Sequence, residues 1–74
     1  MWKYEAPIGN MYIVIRPGTS RYTVKFNNEY FGSYSTPQKA ADDVACFCIG
    51  CDDWDSLDGS ISDYPSDLSD WERL

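Results

Sequence analysis

Three cysteines stand close together and are the first residues whose chemistry has to be considered. Cys46, Cys48 and Cys51 fall within six residues of a chain that has 74 residues and no histidine. A structural zinc site usually takes four Cys or His ligands, and an odd number of thiols is poor material for a disulfide framework. We therefore expect no metal and no cofactor, with reduced thiols and with Cys48 as a small core residue.

Acidic residues are the second group whose side chains could bind a metal ion or act in catalysis. Asp58-Gly59-Ser60-Ile61 matches the middle of a calcium loop, but Trp54 and Pro65 occupy the positions of the two strongest ligands. This segment is therefore interpreted as an Asp-Gly turn. A chain without histidine has no Ser-His or Cys-His nucleophile, and one this short offers no evident deep cleft in which carboxylate pKa values would shift. We expect no catalytic residues and no enzymatic activity.

A third group combines positive charge with aromatic rings. Between residues 11 and 34, basic residues and tyrosines alternate with apolar residues. Positive charge supplies affinity for phosphates, and aromatic rings contact bases or sugars. The candidate residues for binding a nucleic acid or another partner are Arg16, Arg21, Lys25, Tyr12, Tyr30 and Tyr34.

Four segments rich in β-branched and aromatic residues are predicted to be the strands that position this group. They are Trp2 to Glu5, Met11 to Arg16, Arg21 to Phe26 and Glu29 to Tyr34. Pro17-Gly18-Thr19-Ser20 predicts a loop, and Asn27-Asn28 can supply the positive φ angles of a two-residue hairpin turn. We predict a three- to four-stranded antiparallel meander.

The turns determine which side chains share a face of the sheet. The hairpin turn pairs Val24 with Phe31 and Tyr22 with Ser33, and the longer loop pairs Ile13 with Val24. The apolar face then holds Met11, Ile13, Ile15, Tyr22, Val24, Phe26 and Phe31. The opposite face, called the outer face below, holds Tyr12, Val14, Arg16, Arg21, Thr23, Lys25, Tyr30, Gly32 and Tyr34. We expect Val24→Ala to cost about 2 kcal/mol of stability and Thr23→Ala far less.

One helix is predicted to cover the apolar face. Thr36 followed by Pro37 is typical of a helix N-cap and first turn, and Gly50 is typical of a helix stop. The helix should run from Pro37 to Ile49, with Ala41, Val44, Ala45 and Cys48 on one side. The predicted fold class is α+β.

Residues 51–74 form an acidic aromatic C-terminal segment. They carry eight Asp or Glu and one Arg, whereas residues 1–50 carry five Lys or Arg and four Asp or Glu, and the net charge is −6. The segment also contains Trp54, Leu57, Leu68 and Trp71, so it is too apolar for a disordered extension. We predict a single domain over 1–74 in which this segment folds back on or near the outer face and partly covers it, with its aspartates meeting the basic residues there. The alternative leaves the outer face open.

Two resemblances add to this interpretation. Tyr30-Phe31-Gly32-Ser33-Tyr34, followed by Thr36 and Ala40-Ala41, resembles the Leu-Gly-Thr-Phe strand and Thr-x-x-Glu-Ala-Ala helix start of the DNA-binding domain of plant ethylene-response factors and mobile-element integrases, over residues 10–48. That resemblance implies an outer face lying in the DNA major groove, with Arg16, Arg21 and Lys25 as counterparts of its arginines. The plant face is richer in arginine and no acidic segment follows it. The whole chain, from Met1-Trp2 through Trp54-Asp55-Ser56-Leu57 to Trp71-Glu72, resembles a group of small uncharacterised bacterial proteins.

These observations favour a small cytoplasmic interaction protein without enzymatic activity. The chain has neither the uninterrupted apolar region of a signal peptide nor a segment of transmembrane length, so we expect no membrane partner. We expect a macromolecular partner, a protein in the first interpretation, and the sequence leaves the oligomeric state open. One alternative is a nucleic-acid-binding module that uses the outer face. The other is an acidic inhibitor that imitates nucleic acid towards a basic protein, through Asp52, Asp53, Asp55, Asp58, Asp63, Asp67 and Asp70.

Overall fold

Antiparallel strands form one open sheet, and a helix lies on its apolar face, which confirms the predicted α+β class. The computed structural model describes residues 1–62 and 64–74. The strands are β1 Trp2–Ala6, β2 Gly9–Ile15, β3 Tyr22–Phe26, β4 Glu29–Tyr34 and β5 Glu72–Arg73, in the spatial order β4-β3-β2-β1-β5. The first four are the predicted meander. The short β5 comes from the C-terminal segment and was not predicted.

The predicted hairpin turn between β3 and β4 is confirmed. Asn27 and Asn28 have φ angles of 55° and 63°, which short polar side chains tolerate better than other residues. The pairs Ile13 with Val24 and Val24 with Phe31 are also as predicted. These turns therefore place the apolar side chains of β2 and β3 on one face.

A bulge in β4 changes the predicted register at the end of this strand. Val24 pairs with Phe31, but Tyr22 pairs with Tyr34 rather than with Ser33. Gly32 has a φ angle of 74° and allows the extra residue. Because a shift of one residue moves a side chain to the opposite face, Tyr34 lies on the apolar face and our placement of it on the outer face was wrong.

The helix α1, Pro37–Ala45, begins where the sequence predicts. The Thr36 hydroxyl accepts a hydrogen bond from the Lys39 backbone N–H at 3.2 Å, and Pro37 occupies the first turn. One side of the helix is fully buried against β2, β3 and β4. The core between helix and sheet consists of Ala40, Ala41, Val44, Met11, Ile13, Val24 and Phe26.

The end of α1 differs from the prediction, because the helix stops at Ala45 rather than at Ile49. Phe47 adopts a left-handed conformation with φ 54°. Its N–H donates to the Val44 carbonyl at 3.1 Å, and the Cys48 N–H donates to the Asp43 carbonyl at 3.2 Å. This is the hydrogen-bond pattern of a Schellman motif, in which glycine normally occupies the left-handed position.

The C-terminal segment packs on the apolar face beside α1. Its helix α2, Asp52–Asp55, carries Trp54, whose indole N–H donates to the Val44 carbonyl at 2.9 Å and whose ring stacks on Phe47 with centroids 4.7 Å apart. Trp71 follows a 3₁₀ turn over Leu68–Asp70 and packs against Tyr4 of β1, with the two ring centroids 5.6 Å apart. The expectation that this segment covers the outer face was therefore wrong. No helix in the described part of the chain is long and apolar enough to cross a membrane.

Candidate nucleic-acid interface

The outer face of the sheet is left open by the other elements. Both α1 and the two tryptophans of the C-terminal segment lie on the apolar face. Tyr12 and Tyr30 make no hydrogen bond, ion pair or ring contact with the part of residues 51–74 that the structure describes. Within residues 1–62 and 64–74, the basic residues and tyrosines of this face therefore have no covering layer.

A row of alternating cations and tyrosines crosses four strands of the outer face. Lys3 of β1 pairs with Tyr12 of β2, Tyr12 pairs with Lys25 of β3, and Lys25 pairs with Tyr30 of β4. Directly paired residues lie on the same face of a sheet. The antiparallel register therefore gathers these four side chains into one continuous strip.

Tyr30 is the centre of the basic part of this strip. The Arg16 guanidinium carbon lies 6.0 Å from the centroid of the Tyr30 ring, and the Lys25 Nζ lies 5.8 Å from it. Cations at such distances are attracted by the electron-rich face of the ring. Tyr30 nevertheless remains 39% exposed, Arg16 is exposed, and Lys25 is half-buried.

Arg21 is held at the border of the same surface by the bulge in β4. Its Nε donates to the Ser33 hydroxyl at 2.6 Å, and its Nη2 donates to the Ser33 carbonyl at 3.3 Å. A guanidinium fixed in this way loses less side-chain entropy when it binds a phosphate. We call Tyr12, Arg16, Arg21, Lys25 and Tyr30 the basic patch.

The charges of the basic patch are not neutralised by neighbouring carboxylates. Within residues 1–62 and 64–74, the ion pair found is that of Lys3 with Glu5, at 3.5 Å. Arg16, Arg21 and Lys25 have no carboxylate at ion-pair distance in this part of the chain. The acidic character of the chain as a whole therefore does not extend to this patch.

Tyr34 does not belong to the basic patch, although the sequence suggested it. Its hydroxyl donates to Asp43 Oδ2 of α1 at 2.8 Å. Burial, and then the hydrogen bond and negative charge of Asp43, raise the pKa of Tyr34 above its ordinary value of 10.0. This tyrosine therefore joins the helix to the apolar face of the sheet.

Several aspartates of the C-terminal segment hold local structure. Asp55 accepts hydrogen bonds from the backbone N–H groups of Ile49 and Gly50, at 3.2 and 3.0 Å. Asp67 caps the 3₁₀ turn by accepting from the Ser69 N–H at 3.2 Å, a bond that lowers the pKa of Asp67.

Asp70 completes that cap by accepting from the Ser66 and Asp67 N–H groups at 3.1 and 3.2 Å. Asp63 lies outside the described residues. Three of the seven aspartates invoked for imitation of nucleic acid, Asp55, Asp67 and Asp70, thus accept hydrogen bonds from backbone N–H groups of the chain itself.

The cysteines are distributed differently from the expectation. Cys51 is the buried one, and Cys48 is exposed together with Cys46, because the chain leaves the helix before reaching Cys48. The residues described by the structure contain no group of three or more side chains able to hold a metal ion.

Lys3 is the member of the strip that sequence reasoning missed. It follows from the same hairpin counting, because a two-residue turn at Pro7-Ile8 pairs Ala6 with Gly9 and therefore Lys3 with Tyr12. Comparison of the chain with known protein families, with curated proteins and with solved structures gives no match. Both resemblances described above therefore stay predictions.

Proposed function

We propose that the protein is a non-enzymatic binding module of the cytoplasm whose outer face binds nucleic acid through the basic patch. The observation that carries this proposal is the open outer face, where Arg16 and Lys25 flank the Tyr30 ring and have no carboxylate partner in the described part of the chain. Lysine and arginine supply the phosphate affinity of nucleic-acid-binding proteins, and aromatic rings supply contacts to bases. The free cysteines fit a reducing compartment.

The distribution of charge also supports an anionic partner. Arg16, Arg21 and Lys25 gather on the outer face, whereas the exposed Asp52 and Asp53 belong to α2 of the C-terminal segment. A polyanion is therefore attracted to the basic patch and repelled by the carboxylates of the C-terminal segment, which orients its approach.

The small number of unpaired cations predicts the salt dependence of binding. If Arg16, Arg21 and Lys25 each neutralise one phosphate, the logarithm of the binding constant should fall against the logarithm of salt concentration with a slope of about −2 to −3. Binding should therefore be measured by fluorescence anisotropy with labelled oligonucleotides at low salt, and then along a salt series.

A pair of matched variants tests the assignment of the face. Lys25→Gln removes a cation from the basic patch, and Lys39→Gln removes the same charge from the exposed side of α1. We expect Lys25→Gln to weaken binding and to reduce the salt slope by about 1, while Lys39→Gln changes neither. Equal binding by the two variants, or no binding by the parent protein at low salt, would refute the proposal.

A further inference from the structure

We infer that the preferred ligand of the basic patch is a single-stranded polynucleotide, whose bases stack on Tyr30 and Tyr12. This inference rests on the proposed function and specifies the class of nucleic acid. The positions of the two tyrosines across the sheet, the position of the cations and the limited positive charge of the patch support it.

The two tyrosines are spaced as separate stacking positions with a cation between them. Tyr12 and Tyr30 lie on β2 and β4, with Lys25 of β3 paired to both. Neighbouring strands are about 4.8 Å apart, so two strands separate the tyrosines by about 10 Å. A single-stranded polynucleotide that crosses the sheet can place one base on each tyrosine ring and a phosphate near Lys25.

Unpaired bases can use such rings, whereas paired bases cannot. In a duplex the bases stack on one another and present only their edges in the grooves. In a single strand each base has a free π-face, and stacking on an aromatic side chain does not depend on base identity. Arg16 adds a second planar group beside Tyr30, and guanidinium planes also stack on unpaired bases.

The charge of the patch matches a single strand better than a duplex. The basic patch holds three cations without a carboxylate partner in the described residues, in a chain whose net charge is −6. A duplex carries about twice the linear charge density of one of its strands, so the acidic remainder of the protein repels a duplex more strongly. Three cations can make only a few phosphate contacts, so stacking of the bases must supply the rest of the affinity.

The experiment compares four labelled ligands with the full chain by fluorescence anisotropy in about 50 mM salt. They are an oligo-dT and an oligo-U of about 12 nucleotides, a length within the range that single-strand-binding folds cover, the same oligo-dT annealed to oligo-dA, and an abasic strand with the same number of phosphates. We expect oligo-dT, oligo-U or both to bind at least about tenfold more tightly than the duplex and the abasic strand, which is about 1.4 kcal/mol.

A matched pair of tyrosine variants assigns the stacking to Tyr30. Tyr30→Ser should lose about tenfold in affinity for the single strand, within the range measured for removal of one stacking ring. Tyr64→Ser is the control, because Tyr64 is 38% exposed, almost the same fraction as Tyr30, but packs against Phe47 on the other side of the molecule. Thermal melts of both variants establish that they are folded before binding is compared.

The outcomes separate this inference from the proposed function. Duplex binding that equals or exceeds single-strand binding overturns the inference and leaves the proposed function intact. Equal binding of the abasic strand, or equal affinities of Tyr30→Ser and Tyr64→Ser, overturns stacking while phosphate binding stands. Absence of binding to all four ligands overturns both.

Discussion

The two faces of the sheet use aromatic side chains in opposite ways. On the apolar face, Trp54 is fully buried, stacks on Phe47 and donates its N–H to a backbone carbonyl. On the outer face, Tyr30 is 39% exposed and its ring neighbours are two cations. Aromatic content alone therefore does not separate core from binding surface, whereas the partners of each ring do.

The largest expected effect follows from deleting an aromatic ring of the apolar face. Trp54→Ala should destabilise the fold by about 3–5 kcal/mol, because it removes a large buried ring and leaves a cavity. That loss is comparable with the whole stability of many small domains. Urea unfolding followed by circular dichroism measures it. On the outer face, Tyr30→Ala should change stability by no more than about 0.5 kcal/mol. Equal losses of stability for Trp54→Ala and Tyr30→Ala would contradict the proposed difference between the two faces.

The second prediction concerns the bulge that moves Tyr34 to the apolar face. A Cβ atom at Gly32 would lie 2.5 Å from the Tyr34 hydroxyl oxygen, and the φ angle of 74° disfavours any side chain there. Gly32→Ala should therefore cost about 2 kcal/mol or more, since the backbone conformation alone costs about 1–2 kcal/mol.

Gly18→Ala is the control that measures the cost of placing alanine at a positive φ angle without a steric contact. Gly18 has a φ angle of 78°, but a Cβ atom there would meet nothing within 4 Å. The difference between the two substitutions in urea midpoint then measures the contact with Tyr34. Identical losses would show that the Tyr34 ring moves away without cost and that the bulge does not depend on it.

Local rules predicted the parts of the fold that local residues determine. Asn27 and Asn28 specify the hairpin turn, and Thr36 with Pro37 specifies the start of α1, because each of these residues acts on its own backbone. The counting of pairs from these turns also placed five of the six candidate residues correctly on the outer face. The sixth, Tyr34, was misplaced because a glycine within a strand, which often marks a bulge, was not interpreted as one.

The remaining differences come from packing between distant segments. Phe47 ends the helix in a conformation that favours glycine, and its stack on Trp54 accompanies that strain. The pattern of apolar residues in 51–74 does not predict which face of the sheet this segment covers, because both faces have aromatic rings against which it could pack. The residues of the basic patch could therefore be predicted from the sequence, but only the structure shows that the C-terminal segment leaves them uncovered.

The third prediction tests how the outer face is built beneath its exposed side chains. Thr23 is fully buried, and its hydroxyl shares one hydrogen bond between the carbonyl oxygens of Phe31 and Gly32, at 3.0 and 2.9 Å. The expected tolerance of this position assumed exposure, and that assumption was wrong. Thr23→Val keeps the volume but leaves the bulge carbonyls without their donor, so we expect a loss of about 1–2 kcal/mol in urea unfolding. A neutral or stabilising result would show that the hydroxyl does not hold the bulge.

The smallest expected effect at neutral pH is that of Tyr34→Phe, which removes the hydrogen bond to Asp43 and should cost about 1 kcal/mol. Because burial and Asp43 raise the pKa of Tyr34 in the folded state above the ordinary value of 10.0, the folded protein holds this proton more tightly than the unfolded chain. That contribution is complete below about pH 10 and is lost as the pH rises further. The urea midpoints of the parent and Tyr34→Phe, measured at neutral pH and above pH 10, should therefore converge as the pH rises. A constant difference between parent and Tyr34→Phe would mean that folding does not raise the pKa of Tyr34.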